Sequence, residues 1–186
     1  MFSKIIFDHL DKNQFFRILE SLIGKAKTFV IVENSPADLL KHFYSIDKDI
    51  RDNELIKVYP DVDNFYKLGK EDQKKLIDSL FGDHEFDKLL DDLKDKIIET
   101  KLVSKWDGTE TYGAPSFNSY TILFDKETFK ILEEAPWDLF KSGSYIDIAL
   151  KDDNKTFLFT TAHENDLLFD ESEIDLKSLD IDIEVY

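Results

Sequence analysis

The sequence predicts an α+β fold in which a helical N-terminal half packs on a mainly antiparallel sheet from the C-terminal half. Three observations carry that expectation. Helical periodicity dominates residues 1–103, two-residue alternation dominates 117–186, and the helices lead the strands instead of interleaving with them, which argues against a doubly wound parallel sheet. With 186 residues the chain has the length of one domain, so a single α+β domain over 1–186 is expected, with a helix-rich part at 1–103 and a strand-rich part at 117–186.

The elements follow in order. In FSKIIFDHL, Phe2, Ile5, Ile6 and His9 share one helical face. Asp11 then stands as N-cap with Gln14 three residues on, the spacing of a capping box, ahead of the stripe Phe15, Leu19 and Leu22 and the stop at Gly24. KTFVIVEN is rich in branched residues and reads as a strand. SPADLLKHFY offers Ser35 as a cap and Pro36 at the first helical position, and ELIKVYP reads as a second strand ended by Pro60. KEDQKKLIDSLFG is a helix with Leu76, Ile77, Leu80 and Phe81 inward. In HEFDKLLDDLKDKIIETKL, Phe86, Leu89, Leu90, Leu93 and Ile97 keep helical spacing throughout.

Periodicity then stops. SKWDGTETYGAPSFNS reads as the longest irregular segment. YTILFD is a strand, after which FKILEE completes a hairpin or begins a helix. PWDLF makes one helical turn. YIDIAL and TFLFTTAH alternate about the turn DDNK and form a hairpin. The tail alternates Ile181, Ile183 and Val185 with Asp180, Asp182 and Glu184, so a strand there would have one apolar face and one row of carboxylates.

Composition narrows the function classes. Hydrophobic residues are 42% and aromatics 13%, with 16 Phe, enough to build a core. There is no cysteine, which removes disulfides, thiol catalysis and Cys-based metal sites and suits a reducing compartment. Asp8 interrupts the N-terminal apolar residues before a signal peptide's h-region can form, and no run approaches the roughly 18 apolar residues of a membrane span. A soluble, cytoplasmic protein without membrane contact is expected.

The net charge is −16, and the stretch 170–186 holds seven acids against one Lys. Such a surface repels phosphate backbones, so no nucleic acid is expected as partner, whereas a basic protein would be attracted. The six glycines form neither phosphate-cradling pattern, no G-x-S-x-G is present, and the four isolated histidines suggest no zinc site, so neither cofactor nor metal is expected.

Two constellations remain open. His163 could act as general base near neutral pH with Glu164 or Asp166 orienting it; the other reading is a polar corner, with Asn165-Asp166 turning the chain and Leu167-Leu168-Phe169 re-entering the core. In the long loop, Trp106 and Tyr112 among Asp107 and Glu110 are residue types that anchor protein contacts; alternatively Trp106 folds back onto the core.

Residues 137–169, with PWDLF, YIDIAL, DDNK and TFLFTTAHEND in succession, resemble the C-terminal hairpin of small bacterial families of unknown function that include toxin-immunity-type proteins. The second strand departs from that pattern in carrying Phe157 and Phe159 where a Trp is often found. The resemblance implies an inhibitor or binding module and no catalytic residue. The function expected is therefore binding of another, basic protein without enzymatic activity, through Trp106, Asp107, Glu110 and Tyr112 and through Asp180, Asp182 and Glu184. The alternative is a small hydrolase-like enzyme using His163 with a neighbouring carboxylate.

Overall fold

Among the described residues, seven strands form one sheet in the order β1-β9-β8-β7-β2-β6-β3. They are β1 (Phe2–Ile6), β2 (Thr28–Pro36), β3 (Ile97–Val103), β6 (Phe117–Leu123), β7 (Ile146–Lys151), β8 (Thr156–Thr161) and β9 (Asp166–Asp170). The short β4 (Lys105–Trp106) and β5 (Thr109–Glu110) make a separate hairpin. The computed structural model describes all residues except 37–38, 82–83, 111–116 and 142–145, together with all side chains outside these segments except those of residues 34–36, 42, 81, 84, 110 and 163.

The chain divides into two compact units, Met1–Ser35 with Glu85–Tyr186, and Pro36–His84. The first contains the sheet and is an α+β unit. Helices α1 (Lys12–Ser21), α6 (His84–Leu93) and α7 (Lys126–Glu134) supply Phe15, Phe16, Leu19, Phe86, Leu89, Phe129 and Leu132 to one buried cluster with the sheet residues Ile5, Phe29, Ile31, Ile148, Leu158 and Leu167. Trp137 packs among Phe7, Phe15, Phe16 and Phe140, with its ring centroid 5.3 Å from that of Phe15. α1 starts as its sequence predicts, with Asp11 accepting from the Gln14 N–H at 2.8 Å and the Gln14 side chain accepting from the Asp11 N–H.

The second unit is helical, with α2 (Leu39–Ser45), α3 (Lys48–Val58), α4 (Val62–Phe65) and α5 (Lys70–Phe81). Its core is Phe43, Leu55, Phe65 and Ile77. Arg51 is buried beside it, the guanidinium 5.0 Å from the Tyr44 ring and its Nε donating to the Tyr66 hydroxyl at 3.0 Å.

Several elements differ from their sequence reading. FSKIIFDHL is strand β1 followed by a 3-10 turn at Phe7–His9, because five residues satisfy both periods and pairing with β9 decides between them. Ser35 and Pro36 end β2 and do not open a helix. ELIKVYP lies largely in α3, where Asp47 caps the first turn through the Asp49 N–H and Leu55 faces the helical core, so tertiary burial overrides β propensity. The helix of α6 stops at Leu93, and Ile97 reaches the same core from a strand after a 3-10 turn at Lys94–Lys96.

FKILEE is helical, because Asp125 accepts from the Glu127 and Thr128 N–H groups, both at 2.9 Å. The adjacent Lys96 ammonium and these N–H donors hold the Asp125 carboxyl below the usual carboxylate range. β1 and β2 enter the sheet from the first 36 residues, so the sheet draws on both halves of the chain. No helix among the described residues is long and apolar enough to cross a membrane.

Candidate functional site

Paired residues in a sheet share a face, so the register sorts the side chains. Val32, Val30 and Thr28 of β2 pair with Asp147, Ala149 and Lys151 of β7, and Ala149 pairs with Phe159 of β8. This set is turned away from the cluster that contains Ile31, Ile148 and Leu158. Over it folds the β4–β5 hairpin, which reverses at Asp107-Gly108.

The hairpin is pinned at one carboxylate. Asp147 is 1% exposed. Its Oδ2 accepts from the Trp106 indole Nε1–H at 2.7 Å, and its Oδ1 accepts from the Ala162 N–H at 2.6 Å. A charge buried this deeply is tolerated when donors meet its lone pairs, and charge-assisted bonds of this kind are the strong ones. Trp106 also lies against Phe117, with ring centroids 5.4 Å apart. At the turn, Asp107 pairs with Lys151.

Gly108 has φ +74, and a Cβ there would come within 2.6 Å of Thr161 Cγ2 and 2.7 Å of Phe159 Cε2. The turn thus requires glycine both for its left-handed backbone and for its closeness to the sheet. The hydroxyls of Thr109 and Thr161 are buried here without a hydrogen-bond partner among the described residues.

Beside the hairpin a cavity of about 280 Å³ remains open, lined by Val30, Val32, Ser119, Thr121, Lys101 and Lys151 among others. Its walls mix hydroxyls, ammonium groups and short apolar side chains.

The His163 corner sits at the end of β8. Ala162–Glu164 form a 3-10 turn, and Asn165 adopts a left-handed conformation with φ 59. The corner is sewn to the N-terminal segment. Asn165 O accepts from the Phe7 N–H at 2.8 Å, and Asn165 Oδ1 accepts from the Asp8 N–H at 2.9 Å. Asp166 Oδ2 accepts from Lys4 Nζ at 3.2 Å. Leu167 and Phe169 then re-enter the core, so the backbone follows the polar-corner geometry. The His163 side chain, and with it the pairing with Glu164 or Asp166, lies outside the described residues.

The tail forms no strand, and its alternation is realised only as far as Ile183, since Val185 is exposed at 41%. Ile181 is buried and Ile183 packs against the same core, while Asp180, Asp182 and Glu184 are exposed. Arg17 Nη1 donates to Leu179 O at 2.8 Å, and Tyr186 exchanges backbone bonds with Lys4, N–H to O at 2.9 Å and 3.1 Å. The Tyr186 hydroxyl donates to Glu184 Oε2 at 3.0 Å, and this carboxylate raises the hydroxyl's pKa.

Of the residues singled out by sequence, Trp106 and Asp107 are thus brought to the hairpin, where the indole N–H is directed inward to Asp147. Glu110 lies on β5 with its side chain outside the described residues, as does the whole of Tyr112. Asp180, Asp182 and Glu184 form a separate surface on the tail.

Sequence reasoning missed Asp147, because an acid alternating with Ile146 and Ile148 reads as solvent-facing. The available signal was the Trp in an adjacent polar loop, whose N–H requires an acceptor once buried. No group of metal-ligating side chains occurs among the described residues. No protein-family model, curated protein or solved structure matches the chain.

Proposed function

We propose that the chain is a non-enzymatic, acidic protein-binding module that recognises a basic protein, in the manner of toxin-immunity-type inhibitors. One observation carries this reading: the exposed carboxylates Asp180, Asp182 and Glu184 stand on a tail whose alternate side chains Ile181 and Ile183 are anchored in the core. Carboxylates held in this way present their charge with less ordering cost on binding than a free tail would. The net charge of −16 adds long-range attraction for a cationic partner and speeds its encounter.

On this reading the hairpin contributes its outer surface around Asp107, while Trp106 supports it from beneath through Asp147. The lack of cysteine suits action in the cytoplasm.

The test is affinity capture from the native lysate at low and high salt, with the wild-type chain and with Asp180→Lys, Asp182→Lys and Glu184→Lys combined. A basic protein retained by wild type at low salt, released at high salt and lost by the variant supports the reading. Association of that protein with the variant should be slower by about tenfold or more at low salt, with a flatter salt dependence. Equal retention by both chains removes the tail from the interface. Capture of nothing specific rejects the partner.

A further inference from the structure

Strand β3 ends the sheet, and no described strand neighbours its outer edge. An open edge presents unpaired N–H and C=O groups, and proteins blunt such edges with proline, charge or brevity. This edge is seven residues long, has no proline and carries one bulge, between Ile97 and Glu99, so its regular part runs from Glu99 to Val103. Residues 98–102 are all exposed, Ile98 at 62% and Leu102 at 52%. Its one lysine, Lys101, is answered on the same strand by Glu99, with Nζ to Oε2 at 2.8 Å. Ile97, Ile98, Thr100 and Val103 are β-branched, the type that favours further pairing.

We propose that β3 pairs antiparallel with β3 of a second copy about a two-fold axis at Thr100, joining two sheets into one. The register follows from the edge itself. Outward-facing backbone groups occur on alternate residues, so hydrogen-bonded pairing of two identical edges requires a two-fold axis at a residue and not between residues. An axis at Glu99 opposes two glutamates, and an axis at Lys101 opposes two lysines. An axis at Thr100 sets Glu99 against Lys101 twice and Thr100 against itself, within the regular stretch that follows the register shift between Ile97 and Glu99.

Opposite charges and apolar residues directly across a pair stabilise it, and like charges destabilise it. Glu99 and Lys101 pair within the chain with Thr121 and Ser119, so the charged pairs all lie on the hairpin side of the joined sheet. The overall negative charge of each copy opposes association. At physiological ionic strength the Debye length is about 8 Å, so that long-range repulsion is screened while charges in contact keep most of their attraction.

The experiment is light-scattering mass determination on the full chain over a dilution series at physiological salt. The expected result is a mass approaching twice 21.8 kDa that falls toward one copy on dilution. Lys101→Glu opposes acids at four positions and should weaken the dimer about tenfold or more, as should Glu99→Lys. The combined exchange Glu99→Lys with Lys101→Glu rebuilds both opposite-charge pairs and should restore it. These positions are exposed, so melting temperatures close to wild type confirm that each variant is folded.

A wild-type mass of one copy at every concentration overturns the proposal. So does a dimer that Lys101→Glu leaves unchanged, or a double exchange as weak as either single variant. A dimer seen only with a second protein present would assign the edge to that protein instead.

Discussion

Strand β7 shows both faces of the sheet within six residues, and the two faces are closed by different physics. Ile146, Ile148 and Leu150 point into a cluster with α1, α6 and α7, where the attraction is spread over many apolar side chains. Asp147, Ala149 and Lys151 point to the other side, where a short hairpin is fastened by Trp106 on Asp147 and by Asp107 on Lys151. Burial of area is non-directional and forgiving of exchange among apolar residues. The hairpin side depends on directional bonds to one carboxylate, and removing that group strands two donors together.

The two tryptophans report on the two sides separately. Trp137 lies among the phenylalanines of the helical side and Trp106 on the hairpin side, so single-Trp variants distinguish loss of one from loss of the other.

The largest effect expected is on the helical side. Leu158 is 0% exposed, and Leu158→Ala should cost about 3–5 kcal/mol in urea unfolding, with both tryptophans reporting the same transition. Next is Asp147→Ala, expected to cost about 2–4 kcal/mol by leaving the Trp106 and Ala162 N–H groups without their acceptor. Its Trp106 emission should shift red under native conditions while Trp137 emission is unchanged. Asp147→Asn retains one acceptor oxygen and should cost about half as much. A cost for Asp147→Ala below about 1 kcal/mol would break the comparison, because the hairpin would then be closed by area alone.

The smallest effect is electrostatic. Asp170 is held well below the usual carboxylate range, first by the Lys155 ammonium at 2.8 Å and then by the Ser172 hydroxyl and N–H. A carboxyl with a depressed folded pKa contributes stability above its unfolded pKa of about 3.9 and loses it as pH falls through the folded value. Lys155→Gln moves the folded pKa back toward the unfolded one. The wild type should therefore be more stable than the variant at neutral pH and lose more stability on acidification, so that the two curves converge as pH falls through the folded values. Curves that stay parallel from neutral to acid pH would show that Lys155 does not hold the Asp170 carboxyl down.

How much could be read in advance depended on whether a signal was local. The capping box at Asp11 and Gln14, the Asx turn in which Asp152 accepts from the Asn154 and Lys155 N–H groups, and the β7–β8 hairpin were legible because their hydrogen bonds join residues close in sequence. The in–out alternation of the tail was legible as far as Ile183, although its strand was not formed and Val185 is exposed. The failures came where local patterns were short or conflicting. Five residues of β1 fit helix and strand equally, and ELIKVYP carries β propensity inside a helix whose Leu55 is buried.

By itself the sequence determined the apolar supply of the core, the acidic surface, the α+β class of the sheet-bearing unit and the elements whose bonds are local. Tertiary structure decided that Phe2–Ile6 is a strand, that α6 gives way to an edge strand at Ile97, and that Asp147 turns inward to hold Trp106. The reason is physical: each of these outcomes depends on a partner distant in sequence, Asp166–Asp170 for β1, Phe117–Leu123 for β3 and Trp106 for Asp147, and no local pattern encodes where such a partner will stand.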